Sequence, residues 1–262
     1  MKKEDVYIIG FPKSGNTWLS RLVSQILDSK IEVNSIEDRL NNSENGNRDD
    51  SSQFVIHKIH YIDNIKRLDK GRKIYIVRDP RDVFISGFYH NHRKYNNISP
   101  KAGVVIKHLF NYELKLLTRN WSGSIKDRIS ARFMDIARII FLKKRLPLVG
   151  NWSEHFLFWS NFKNISIIRY EDLLDNPEAC LCQILEEQNL PYDIETVRKA
   201  IDSQSFDKKR ESFQKQGDSL NANFMRKGKK EGWKDDLTPE QVDYIEHHHH
   251  DVMLRLSYIS NK

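Results

Sequence analysis

"GFPKSGNTW", residues 10–18, follows the apolar run "VYIIG" and precedes apolar side chains at helical spacing. The run reads as a buried strand over 5–10. Trp18, Leu19, Leu22, Val23, Ile26 and Leu27 place a helix over 17–28. A strand-to-helix turn presents backbone N–H groups at a helix N-terminus, where the macrodipole favours an anion. Gly15 lets the backbone come close to such an anion. Ser14, Asn16 and Thr17 add side-chain donors, and Lys13 adds a full charge. The stretch describes a phosphate cradle; the alternative is a plain turn with a solvated lysine. The nucleotide pattern G-x-x-x-x-G-K-[ST] is absent, because Lys13 precedes Ser14-Gly15.

Working outward, "QFVIHKIH" (53–60), "KIYIVRD" (73–79) and "ISIIRY" (165–170) read as further strands. Helices are expected from Pro80 to about Asn91, over 104–118, 129–145 and 153–162, within 176–189 and 193–201, and from Thr238 onward. Thr238 suits an N-cap and Pro239 the first helical position. Residues 41–52 and 207–232 read as polar loops. Strands alternating with helices predict an α/β fold, with a parallel central sheet flanked by helices and a single domain over 1–262. Ligands of such sheets bind beyond the carboxyl ends of the strands. Phe11–Trp18, His60, Arg78 and Tyr170 all fall at such ends.

The 262 residues are 39% hydrophobic and carry a net charge of +7, which suits one sizeable core and an anionic partner. Cys180 and Cys182 are too close in sequence for a ready bridge and read as thiols of a reducing compartment. No apolar stretch approaches the ~20 residues of a membrane span, and the N-terminus lacks a secretory cleavage pattern. A cytoplasmic location is expected. The Asn-x-Ser triplets at Asn97, Asn120, Asn151 and Asn164 read as chance. His247–His250 reads as a solvated helix face, and the basic segment 126–145 as helical with solvated cations.

The opening stretch and four further segments occur in an order that resembles the cytosolic-type sulfotransferase family. "FPKSGNTW" is similar to its 5′-phosphosulfate loop, and "KIH" (58–60) to its Lys-x-His strand end. "VRDPRDVFISGFYH" (77–90) is similar to its 3′-phosphate segment. "RYEDLLDNP" (169–177) and "FMRKGKKEGWKDDLTPEQ" (224–241) resemble its Tyr-Glu-Asp and Arg-Lys-Gly…Trp-Lys segments. The likeness covers about residues 6–260. It implies 3′-phosphoadenosine 5′-phosphosulfate (PAPS) as co-substrate, with no metal, because lysines take its place. It also implies contacts of Trp18 and Phe206 with adenine, with Tyr170 and Gln204 near the adenine edge.

Physical readings stand beside the resemblance. Arg78 and Ser86, eight residues apart, would hold one phosphate by a guanidinium and a hydroxyl. The alternative for Arg78 is an ion pair with Asp79 or Asp82. Arg226, Lys227 and Gly228 would form a second anion clamp, and a solvated basic loop is their alternative. His60 suits a general base, since imidazole titrates near working pH. Its neighbour His57 should face the other side of the strand. Lys13 would neutralise the leaving phosphate oxygen and Lys58 assist at the sulfuryl group. By resemblance, Ser86 would restrain the catalytic lysine until the acceptor binds. Asn16 stands where a Thr is common and keeps a donor. Gln204 also stands in place of a usual Thr, and Glu231-Gly232 where Gly-Asp is usual.

The expected activity is sulfuryl transfer from PAPS to a hydroxyl or amine of a small-molecule, saccharide or lipid acceptor. A nucleotide-dependent kinase and a non-enzymatic polyanion binder are the alternatives. The family's dimerisation signature is not evident, so the oligomeric state stays open.

Overall fold

The structure, a computed structural model, describes residues 3–33, 52–60, 71–92, 151–215 and 230–260. Along the chain the described elements begin with β1 (Glu4–Ile9), α1 (Asn16–Ile26), β2 (Lys30–Val33), β3 (Phe54–Ile59) and β4 (Arg72–Val77). Next come α2 (Pro80–His92), α3 (Trp152–Ser160), β5 (Ile165–Arg169), α4 (Tyr170–Asp175) and α5 (Pro177–Glu187). The last are α6 (Ile194–Ser203), α7 (Phe206–Lys215), α8 (Trp233–Asp236) and α9 (Pro239–Arg255). The chain divides into two compact units, one drawn from 1–78 and 158–228, the other from 79–157 and 229–262.

In the first unit five strands form one sheet in the order β2-β3-β1-β4-β5, and every pairing is parallel. The expected α/β class is observed. Val6–Ile9 and Lys73–Val77 are buried without a break, as strands covered on both faces require. α1 buries Leu19, Leu22, Val23 and Ile26, a stripe at helical spacing. That stripe joins Ile8, Ile56, Ile74 and Ile76 of the sheet, Leu181, Ile184 and Leu185 of α5, and Val197 and Ala200 of α6 in one core. Each Leu, Ile and Val side chain among them contributes about 1.5–3 kcal/mol by leaving water. α5 and α6 begin at side-chain caps, Asn176 accepting from the Ala179 N–H and Asp193 from the Thr196 N–H.

The register aligns Ile9 with Ile59 and Tyr75, and Val77 with Arg169. The residues that follow β1, β3, β4 and β5 therefore share one edge of the sheet. Three local expectations change. "KIEV" forms the edge strand β2, which its charged residues and brevity hid from a hydrophobic pattern. Within the polar stretch after 206, Phe206–Lys215 is helical but buries nothing, so it has no apolar stripe to read. Tyr170 opens α4 instead of ending β5.

In the second unit, α2 starts at Pro80 as expected, and its first turn anchors distant chain. The Arg81 guanidinium pairs with both oxygens of Asp79 and with Glu246, and donates to the Tyr258 carbonyl at 3.0 Å. It also lies 4.1 Å from the Trp233 ring centre. Asp82, nearly fully buried, accepts from the Glu231 and Trp233 N–H groups, both at 2.9 Å. α9 starts with Thr238 as N-cap and Pro239 first, as expected, and the cap is a full capping box, with Thr238 and Gln241 bonded reciprocally. Asn151 caps α3, accepting from the Glu154 N–H at 2.8 Å.

The histidine run is not one solvated face. His249 is 2% exposed, because it shares a helix face with buried Ile245, Val252 and Met253. It contacts the Ser153 hydroxyl at 2.7 Å and meets the Trp152 ring edge-on. The expected helices at 104–118 and 129–145, the basic segment 126–145, Asn97, Asn120 and most of 41–52 lie outside the described residues.

Burial, reinforced by neighbouring His248, lowers the His249 pKa from 6.5 to about 4. The unfolded chain therefore binds this proton at higher pH than the native chain. Stability from the neutral ring should be complete above about pH 6.5 and lost progressively as pH falls toward 4, by on the order of 3 kcal/mol. Urea unfolding at several pH values should show this slope, and His249→Gln should flatten it.

Candidate functional site

The loop from β1 to α1 is built to leave polar groups facing outward. Its turn closes through the Ser14 N–H to the Phe11 carbonyl at 3.1 Å. Lys13 sits at φ 74°, a left-handed conformation that costs a lysine on the order of 1 kcal/mol. Gly15 is the N-cap of α1 at φ 104°, and no side chain caps the helix. The first turn of α1 contains no acidic residue. The first N–H groups of a helix have no intrahelical acceptor, so this uncapped turn directs donors out of the helix. The Ser14 hydroxyl is buried with no hydrogen-bond partner. A buried polar atom left so carries a desolvation cost that an anionic ligand would offset.

Gly15 is required by space as well as by φ. A Cβ there would stand 2.7 Å from Cδ2 of Tyr170. Tyr170 comes from the first turn of α4, next to the end of β5, and packs the loop from the neighbouring strand end. The Arg78 guanidinium lies 4.3 Å from the Tyr170 ring centre. The acids that the sequence offered as partners for Arg78 bond elsewhere: Asp79 pairs with Arg81, and Asp82 accepts backbone N–H groups.

β3 contributes the other side of the loop. Its alternation buries Phe54, Ile56 and Lys58 on one face. The Lys58 ammonium donates to the Thr17 hydroxyl at 3.3 Å, tying the strand end to the start of α1. His60 Nδ1 lies 2.9 Å from the Gly10 carbonyl and 3.2 Å from Nδ2 of Asn16. His57 faces the opposite side, as the strand period predicts. There it stacks on Tyr7 and contacts Asp5 at 2.8 Å.

Two contacts differ from expectation. Trp18 and Phe206 do come together, but their centroids are 6.0 Å apart and tilted by 55°. That is direct aromatic contact between the two rings expected to meet adenine. Trp18 also meets Tyr170 edge-on at 5.7 Å, and its indole N–H is buried with no hydrogen-bond partner. The Asn16 side-chain donor, expected to serve an anion, bonds the Gly10 carbonyl at 2.9 Å. The side chain is buried and turned back toward β1, which leaves its backbone N–H for the loop.

Gln204 ends α6, donates to Gln25 at 3.2 Å, and keeps its own Oε1 buried with no hydrogen-bond partner. Ser86 lies on α2 in the other unit from Arg78. Arg226, Lys227 and Gly228 lie outside the described residues. The sequence reading missed the Gly10 carbonyl. Its only signal was a glycine at the end of a buried strand.

A family model for the sulfotransferase domain matches residues 3–257. The chain belongs to the sulfotransferase family. A 3-beta-hydroxysteroid sulfotransferase of Cavia porcellus is 26% identical over 266 residues, covering 93% of this chain and 81% of that protein. An amine sulfotransferase of Oryctolagus cuniculus is 23% identical, over 93% of this chain and 78% of its own. The fold resembles that of a mouse sulfotransferase complexed with PAP, with a TM-score of 0.59 and 21% identity. That likeness covers 97% of this chain and 84% of the other. Retinol dehydratase in a complex with retinol and PAP gives a TM-score of 0.58 at 16% identity, covering 97% and 82%.

The enzyme class read from the sequence therefore stands, and the kinase and polyanion-binder alternatives fall away. Glu231 stands where the resemblance places a glycine. Glu231 adopts φ 59°, a conformation glycine takes without strain. Its carboxylate is lowered in pKa by its pair with Lys234, 2.7 Å away.

Gly15→Ala should cost on the order of 1–3 kcal/mol, through left-handed strain and the contact with Tyr170. Thermal unfolding should show the loss, and Gly15→Ala should also weaken anion binding at the α1 N-terminus.

Proposed function

We propose that this sulfotransferase moves the sulfuryl group of PAPS to a hydroxyl or amine of a small-molecule acceptor, with His60 as general base. The observation that carries the proposal is the uncapped N-terminus of α1 beside the buried, unpartnered Ser14 hydroxyl, with Lys13 in the same loop. These residues fit a phosphosulfate: a helix turn with no side-chain cap, no acid in that turn, and a backbone held close by Gly15. The names of the relatives, a hydroxysteroid and an amine sulfotransferase, support a hydroxyl or amine on a small apolar body.

PAPS would supply an activated sulfuryl group. Lys13, Ser14 and the N–H groups of Gly15, Asn16 and Thr17 would hold its 5′ end. The positive end of α1 would stabilise charge on the departing phosphate oxygen. His60 would take the acceptor's proton as the new bond to sulfur forms and the sulfur–phosphate oxygen bond breaks. Lys58 would add positive charge at the transferred group. Arg78 and Ser86, with Arg226, Lys227 and Gly228, would hold the 3′-phosphate. Trp18, Phe206, Tyr170 and Gln204 would surround adenine once the tilted pair parts. We read both units as one catalytic domain, since the family match spans them. We assign it to the cytoplasm on its two cysteine thiols. Among the described residues no helix is long and apolar enough to cross a membrane.

His60→Ala should lower kcat by about 10²–10⁴-fold. Its affinity for adenosine 3′,5′-bisphosphate, measured by calorimetry, should stay within about twofold of wild type. Loss of both together would make His60 a structural residue. Lys13→Ala should weaken nucleotide binding and transfer alike. Turnover is read with labelled PAPS and a panel of hydroxysteroids and amines.

A further inference from the structure

A cavity of about 510 Å³ opens at the amino ends of β4 and β5, lined by Lys73, Phe158, Asn161, Phe162, Lys163 and Asn164. Its volume is that of a small-molecule site. It is separate from the loop after β1. Lys73 lies at the start of β4 and pairs in register with Ile165 at the start of β5, whereas the loop lies beyond the carboxyl ends of the strands. Five residue steps separate Lys73 from Arg78, a path of about 17 Å along an extended strand.

Two kinds of chemistry meet in the cavity. Phe158 and Phe162 are half-buried, with ring centres 5.4 Å apart. Both also pack on the fully buried Trp159, at 5.2 Å and 5.1 Å. That cluster fixes the rings before any ligand arrives. The polar side is cationic. Lys73 is 4% exposed, and its backbone N–H donates to Oε1 of Gln188 at 2.9 Å. Gln188 donates in turn to the Ser166 hydroxyl at 2.9 Å, which ties β4 to β5 beneath the cavity. The Lys73 ammonium donates to the Gly71 carbonyl at 2.9 Å, a bond to a neutral group that orients the charge without cancelling it. Lys163 and the side chains of Asn161 and Asn164 are exposed at the rim. Among the described lining residues there is no acid. A bare inorganic anion would leave the two rings unused, and a neutral aromatic would leave the two ammonium groups unused.

We propose that this cavity is a second binding site, separate from the transfer centre, for a small aromatic anion: an aryl sulfate of the class that sulfuryl transfer releases. The choice of sulfate rests on the sulfuryl-transfer reading; the pairing of an aromatic body with an anion rests on the cavity alone. The ring system would lie against Phe158 and Phe162. The sulfate would face Lys73 and Lys163, with the Asn161 and Asn164 amides as further donors. Product held there leaves the edge of the sheet where transfer takes place open to the next acceptor.

The test is calorimetric titration of the full chain, saturated with adenosine 3′,5′-bisphosphate, with 1-naphthyl sulfate. The wild type should show a binding event that Lys163→Glu weakens by about tenfold or more, through charge reversal at the rim. Phe162→Leu should weaken the same event by removing a ring face. Lys163 is exposed, so its variant tests the site without threatening the fold. Both variants should keep the KM for the acceptor and the affinity for adenosine 3′,5′-bisphosphate within about twofold. 1-Naphthol, with the same rings and no charge, should bind about tenfold more weakly or worse. A titration unchanged by Lys163→Glu overturns the proposal, and so does 1-naphthol binding as tightly as the sulfate. 1-Naphthoate distinguishes the sources of the anion: if it binds here and the sulfate does not, the assignment to product is overturned. The readout needs no turnover. A chain that fails to transfer from PAPS refutes the sulfuryl-transfer reading, while the titration still reports on the cavity.

Discussion

The parallel pairing of β1 with β3 on one side and β4 on the other is the constraint on which the loop after β1 depends. Only parallel strands deliver all their carboxyl ends to one edge. The register brings Gly10, His60, Arg78 and Tyr170 to that edge from segments far apart in the chain. Burial holds the register, because β1 and β4 are apolar over most of their length and a slip would draw the charged residues at their starts into the covered part of the sheet. The chemistry of the edge is therefore fixed by the hydrophobic core beneath it.

At that edge the polypeptide accepts local cost. Lys13 adopts a left-handed conformation, Gly15 leaves α1 without a side-chain cap, and the Ser14 hydroxyl is buried without a partner. Each feature lowers stability by itself. Together they leave the first N–H groups of α1 without a side-chain acceptor, a helix end of the kind that favours an anion. Asn176, Asp193 and Thr238 cap α5, α6 and α9 with their side chains, whereas the short helices α4 and α8, like α1, have no side-chain cap. In the second unit, Arg81 and Asp82 satisfy backbone groups of the 231–258 segment, so conserving charge inside the protein is also a structural use of ions here.

How much of this was legible depends on the range of the interaction involved. The opening loop, α1, the parallel sheet and the capped α9 follow from local pattern, and the structure has them. β2 and α7 were missed because neither has an apolar periodicity, and their formation rests on neighbours. His249 looked like one of four solvated rings. Its helix phase relative to Ile245, Val252 and Met253 buries it. The Trp18–Phe206 pairing was legible, but its tilt was not, since ring planes are set by packing.

The sequence by itself determined the α/β class, the strand–loop–helix from β1 to α1 and the family, because these rest on short-range pattern and on motifs in a specific order. Tertiary structure alone decided that the Asn16 amide turns back to β1, and that Lys58 reaches Thr17. It alone decided that Asn16 and His60 share one carbonyl. The reason is physical: a side chain's donors are written in its residue type, but their acceptors are chosen by which strand ends the core brings together.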